Sequence, residues 1–198
     1  MLRDTPLQPW RLDAGAGGCY AGVQIFCEVP VAVGSRTVQD AAEHPNVELV
    51  RAAARAAGFE IATRRFPEGT KTAVDAATAI GVDVGQIVKS LIFAVDGELV
   101  LAYVSGANQL SESKLAAAAG GVACARVDAD TVREATGFPI GGVPPFGHKT
   151  HLRVFIDPDL LQYDEVWAAA GTWHDVFGIE PHKLVEASEG LVTDLKRG

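Results

Sequence analysis

The sequence predicts a mixed α/β domain whose strands are joined both by a hairpin and through helices, giving a mixed sheet, partly barrel-like and surrounded by helices. Three observations carry that reading. Residues 85–104, GQIVKSLIFAVDGELVLAYV, set two apolar runs around Asp96-Gly97, a dipeptide that accepts positive φ in a tight type I′ turn. Two capped segments near residues 46 and 72 read as helices. Beyond residue 105, short apolar runs alternate with capped segments that stop at glycine.

Residues 1–40 differ from the remainder of the chain. Asp13 to Gly18 is flexible in composition, and the apolar run from Val23 to Val33 is interrupted by Glu28 and Pro30. With no caps and no clear period, the segment reads as an N-terminal tail, with a partner-binding extension as the alternative. The domain itself is expected over 45–195.

The first helix is capped by Asn46, sets Leu49, Val50, Ala53, Ala54 and Ala57 on an apolar face at helical spacing, and stops at Gly58. Phe59 to Phe66 reads as a short strand. Thr72-Ala-Val-Asp75 matches a capping box for a helix over 73–80 that ends at Gly81. The hairpin comes next. Ser111 caps an alanine-rich helix ending at Gly120, Cys124 to Val127 is a short strand, and Asp128 caps a helix that stops at Gly137. Phe138 to Lys149 is an irregular loop of glycines and prolines. Strands are expected over His151–Asp157, Tyr163–Ala170 and Thr172–Ile179. A last helix runs from Pro181, at a favourable first position, to Ala187.

Composition limits the function classes. The 198 residues are 48% hydrophobic and 21% charged, which describes a globular chain with a sizeable core. A net charge of −8 argues against a protein that grips DNA or other nucleic acid by a general basic surface, while leaving room for a local basic rim. Cys19, Cys27 and Cys124 show no ligand-like spacing, so neither a disulfide framework nor a metal site is expected. There is no dinucleotide-binding or Walker loop, no His-Glu-x-x-His and no serine elbow, and no cofactor is expected. No run of about 18 apolar residues and no signal-like start appear, so no membrane partner is expected and the protein is placed in the cytoplasm.

Two features stand out as carriers of chemistry. Lys89 lies in a strand that is apolar on both faces, which suggests a central strand. A lysine there must snorkel to an edge, pair with a carboxylate or line a cleft. The loop Gly141-Gly-Val-Pro-Pro-Phe-Gly147 can present backbone amides to a carbonyl or phosphate, or it is simply a tight connection. His148 adjoins the loop and is a candidate for the site or a solvated loop histidine; His174 lies between Trp173 and Asp175 and is a candidate base or orienting group, or a satisfied half-buried residue. His44, His151 and His182 have no such context. Trp167, Trp173 and Tyr163 do not alternate with basic residues and read as core rather than as a stacking platform.

Thr72-Ala-Val-Asp-Ala-Ala, Gly85-Gln-Ile-Val-Lys-Ser-Leu and Thr136-Gly-Phe-Pro-Ile-Gly-Gly-Val-Pro-Pro-Phe-Gly-His148 occur in that order. Together they resemble the YbaK family, the aminoacyl-tRNA editing domain also found inserted in bacterial prolyl-tRNA synthetases. The resemblance covers roughly 45–195. It implies a cleft beside the lysine-bearing strand and hydrolysis of the ester between a wrong amino acid and a tRNA, usually that for proline. It implies that Lys89 contacts the phosphate or ribose end, with Ser90 beside it. It further implies that Gly142 and Gly147 belong to a loop whose backbone holds the aminoacyl carbonyl, next to His148, and that His174 lies near the cleft. Where the cysteine-specific relatives carry serine after Gly-Gly-x, this chain has Pro144, which points away from a cysteinyl ester.

The implied partners are the acceptor end of a misacylated tRNA and prolyl-tRNA synthetase. Lys71, Lys89 and Lys149 are candidates for the positive rim. An ester is already activated, so positioning a water and stabilising the oxyanion suffices without a triad or a metal. Two other classes fit the same residues: a non-catalytic module that binds the aminoacyl end or a synthetase, and a hydrolase of small esters that ignores RNA.

Overall fold

The computed structural model describes residues 43–68 and 72–198. The expectations for residues 1–40, with Cys19 and Cys27, and for Lys71 lie outside the described residues.

The first helix, α1, spans Pro45–Ala56. Its cap is His44, whose Nδ1 accepts the amide of Asn46, and Pro45 occupies the first turn. The expected cap, Asn46, lies inside the helix. Its side-chain amide instead donates to the Gly171 carbonyl at 2.9 Å, tying α1 to a distant loop. Strand β1 is shorter than expected, Thr63–Arg65. Helix α2, Ala73–Ile80, carries the predicted reciprocal box between Thr72 and Asp75 and ends at Gly81 in the left-handed region.

The hairpin forms as predicted. β2 (Val88–Val95) pairs antiparallel with β3 (Glu98–Ser105) in full register, Val88 opposite Ser105 and Val95 opposite Glu98. Asp96 and Gly97 both have positive φ, 49° and 91°, as a type I′ turn requires. The Asp96 carboxylate also accepts the amides of Val122 and Ala123, which holds its group below the usual carboxylate range.

Helix α3 (Glu112–Ala119), β4 (Cys124–Arg126) and α4 (Ala129–Thr136) stand at their predicted places, capped by Ser111 and Asp128. After the glycine–proline loop come β5 (Arg153–Ile156), β6 (Val166–Ala169), β7 (Asp175–Ile179), α5 (Pro181–Ser188) and an unpredicted strand β8 (Leu191–Val192). Short 3₁₀ turns over Val84–Gln86 and Pro158–Gln162 were also not legible.

Among the described residues the strands form two sheets rather than one curled sheet. The order is β4-β2-β3-β5-β8 in one and β1-β7-β6 in the other. The larger sheet is mixed: β3–β5 and β5–β8 are parallel, the other pairs antiparallel. A parallel bridge from Ile87 to Trp167 joins the sheets at the start of β2. β4 pairs only with Phe93–Val95, so the stretch around Lys89 is paired on one side, by β3, and opens on the other.

Both faces of the hairpin are buried. Val88, Ile92, Leu101 and Tyr103 belong to the main cluster, which also takes Val50 and Ala54 of α1. Phe93, Val95, Val100, Ala102 and Val104 pack on the other side with Leu115 and Ala116 of α3. Each buried Val, Leu, Ile or Phe among them contributes about 1.5–3 kcal/mol. The register therefore cannot slip by one residue without exchanging two filled faces.

Candidate functional site

Lys89 sits where the hairpin loses its second neighbour. Its residue partner across the ladder is Val104, on the α3 side of the sheet. The ammonium donates to the backbone carbonyl of Asn108 and, at 3.3 Å, to that of Gly106. The loop that supplies these carbonyls is fixed from below. The Asn108 amide donates to Asp157 at 2.7 Å and to Asp159 at 2.8 Å. Asp157 is fully buried and also accepts the amides of Ser105 and Asp159. Lys196 closes the outer side through Asp159 at 2.9 Å. Burial lowers the Lys89 pKa, and the Asp157 charge opposes that shift.

Two cavities meet at this lysine. One, about 310 Å³, lies between α2 and β6 and is walled largely by small and apolar groups, among them Ala73, Ala76, Ile87, Trp167 and Ala169. The other, about 510 Å³, runs towards the C-terminus and carries Gln109, Glu112, Arg126 and Arg197. Lys89, Ser90, Leu91, Ile140 and Val143 belong to both. The Ser90 hydroxyl and the Trp167 indole N–H are buried without a partner among the described residues. Arg51 Nε, remote from the cleft lining, is the other such atom; Ser90 and Trp167 are the two that a ligand in the cleft could engage.

The glycine–proline loop forms one wall. It is held from within: the Tyr103 hydroxyl donates to the Pro145 carbonyl at 2.6 Å, and His148 Nε2 is 2.7 Å from the Pro144 carbonyl. Burial pushes the His148 pKa down, and the bond that Nε2 donates to the Pro144 carbonyl, which can only accept, opposes that shift. Gly142 has its amide bonded to the Pro139 carbonyl at 2.9 Å, and a Cβ there would meet the Thr172 Cα at 3.0 Å. Its visible contribution is close approach between two backbones. Gly147 has φ of +82°, with Ala53 of α1 3.0 Å from where a Cβ would stand.

The predicted residues thus divide. Lys89 and Ser90 share the cleft with Gly141 and Val143. Pro144 is buried at the base of the loop, His148 is half-buried and Gly147 exposed, and Gly147, His148 and Lys149 line a separate hollow. His174 lies in a third cavity beyond Trp173, its Nδ1 3.2 Å from the Phe66 carbonyl. Trp173, expected in the core, is 47% exposed, and its indole N–H donates to the Ile140 carbonyl. Sequence reasoning missed Asn108, Asp157 and Arg197. Asp157 carried one signal, a carboxylate closing an apolar strand; the other two had none. No cluster of potential metal ligands occurs among the described residues.

A family model described as the aminoacyl-tRNA editing domain matches residues 67–187. The uncharacterized protein YwhH of Bacillus subtilis is 31% identical over 123 residues, 62% of this chain and 78% of YwhH. The proline--tRNA ligase of Maridesulfovibrio salexigens is 36% identical over 107 residues, 54% of this chain but only 18% of the ligase. Among solved structures, a candidate trans-editing enzyme for prolyl tRNA synthetase superposes with a TM-score of 0.75 at 42% identity. It covers 79% of this chain and all of its own.

Proposed function

Because the chain belongs to the aminoacyl-tRNA editing domain family, we propose that it is a free-standing deacylase that hydrolyses the ester of a misacylated tRNA, that for proline foremost. One observation carries the reading: a half-buried ammonium stands where a largely apolar cavity meets a second one that carries Arg197 and the Arg126–Glu112 pair. An aminoacyl ester has the same two-sided character, a small side chain on one side of the carbonyl and a phosphate-bearing nucleotide on the other.

In this reading the amino acid enters the space beside Ala76, Ile87 and Trp167, and the terminal nucleotide lies towards Arg126 and Arg197. Lys89 binds the phosphate or ribose end. Its charge is available because its protein partners are neutral carbonyls. Ser90 supplies a hydroxyl to the bound ester. The loop at Gly141–Val143 closes over the carbonyl, with Gly142 setting its approach and Pro144, Gly147 and His148 holding its base. His174 acts from the far side of Trp173, through the position of the 171–174 segment. Water adds to the ester carbonyl and gives up a proton, leaving a tetrahedral oxyanion. The bond to the ribose oxygen then breaks, and the departing oxygen takes that proton. A prolyl-tRNA synthetase is the protein partner that would deliver such a substrate, in the cytoplasm.

The test is deacylation of proline tRNA charged separately with alanine, cysteine, serine and proline, by wild type and Lys89→Ala. Loss of one wrong amino acid, with proline spared and the variant inactive, is the expected result. Binding of the RNA without turnover would make the protein a binding module. Turnover of a free aminoacyl ester that tRNA does not enhance would make it a small-ester hydrolase.

A further inference from the structure

We propose that the cavity on the far side of Ile140 and Trp173 is a second contact for the tRNA, taking backbone phosphate between Arg65 and Arg133. This rests on the reading that an aminoacyl-tRNA is the substrate.

The cavity has a volume of about 430 Å³ and is lined by Arg65, Arg133, His44, His174 and Trp173, with no carboxylate among its described lining residues. That is unusual in a chain with a net charge of −8. Arg133 is exposed and makes no ion pair with a described residue. Arg65 is half-exposed, and its carboxylate neighbour, Asp175, is 4.0 Å away and buried, with its other oxygen already taking the Thr172 hydroxyl. Two guanidinium groups that no described surface carboxylate neutralises, beside a half-exposed indole, fit a polyanion with aromatic bases.

Position favours RNA over a free anion. Trp173 donates to the Ile140 carbonyl, and a Cβ on Gly141 would lie 3.0 Å from the indole. Ile140 and Gly141 are also wall residues of the Lys89 cleft. The two cavities therefore stand on opposite sides of one thin wall. A strand whose terminal residue enters the cleft can cross that wall and set an earlier phosphate on the arginines. A small phosphate would gain nothing from this adjacency.

Binding of uncharged proline tRNA, followed by fluorescence anisotropy over a salt series, tests the proposal. The proteins are wild type, Arg133→Gln, Arg65→Gln/Arg133→Gln and, as a control on α1, Arg55→Gln. Each is checked for an unchanged thermal melt. The double variant is expected to bind about tenfold more weakly, with the slope of log Kd against log salt reduced by about 1 per lost phosphate contact. Arg55→Gln should bind as wild type. Arg133→Gln alone should show a reduced slope, and it serves if the double variant does not fold, since the Arg133 side chain bonds and pairs with no described residue. Wild-type affinity and slope in the arginine variants would overturn the site while leaving the deacylase reading intact. Failure of wild type to bind tRNA at all would overturn both. Binding of millimolar inorganic phosphate that depends on the arginines, with tRNA binding indifferent to them, would mark a small-anion site and overturn the proposal.

Discussion

The Lys89 ammonium donates to the backbone carbonyl of Asn108, the residue whose side chain is clamped by the carboxylates of Asp157 and Asp159. The lysine is therefore positioned by a loop, and the loop by a buried acid. Asn108→Ala removes two charge-assisted bonds and leaves Asp157 short of a donor. A loss of about 2 kcal/mol in unfolding free energy is expected, measured by urea denaturation. Deacylation should fall further than stability alone explains, because the carbonyls that aim Lys89 are released.

The same contact sets a pH dependence. Burial holds the Lys89 pKa below the ordinary lysine range, and Asp157 partly restores it. RNA binding that uses this charge should fade as pH rises through the depressed value, before ordinary lysines titrate. Asp157→Asn removes the opposing charge and should move the fade to lower pH. Titrating Kd for proline tRNA between neutral and alkaline pH, in both proteins, reads the shift; identical alkaline limbs would show that Lys89 does not contribute its charge.

His148 gives an acid-side signature. Its folded pKa is depressed by burial, so between that value and the ordinary histidine range the unfolded chain binds more protons than the folded one. Stability should rise with pH across this window and fall on acidification, with a slope of up to about 1.4 kcal/mol per pH unit. His148→Gln, which can still donate to the Pro144 carbonyl, should flatten the dependence of the urea midpoint on pH.

Tyr103 and Pro145 fix the loop to the hairpin. Tyr103 is fully buried, and its hydroxyl is held well above the usual tyrosine range by burial alone, so it remains a donor at every accessible pH. Tyr103→Phe leaves the Pro145 carbonyl without this donor and should cost about 1–3 kcal/mol. The melting temperature reads the loss. A fall in deacylation beyond it would show that the loop must be held rigid for chemistry.

Gly142 is a steric requirement. A Cβ would stand 3.0–3.1 Å from the Thr172 and Gly171 backbone, where nothing flexible can yield. Gly142→Ala should destabilise by about 1–3 kcal/mol and push the Ile140–Val143 wall. Rising KM for the charged tRNA at modest stability loss is the expected pattern.

By itself the sequence determined the local elements. Asp96-Gly97 can hardly make anything but a tight hairpin turn, Thr72 and Asp75 satisfy each other's backbone within one turn, and the glycines at 81, 120 and 137 stop helices by a conformation other residues resist. These depend on interactions within a few residues, so they are legible in order along the chain. The motifs around Lys89 and the glycine loop likewise sufficed for the family. Tertiary structure decided the rest, because it concerns partners far apart in sequence. Asn46 reads as a cap but reaches Gly171, 125 residues away, while His44 does the capping. Trp173 reads as core but ends half-exposed against Ile140, and it separates His174 from the lysine cleft. Lys89 itself has three destinations on paper. Only the meeting of two loops and a buried aspartate selected one, since a charge in an apolar strand takes whichever polar groups the fold brings within reach.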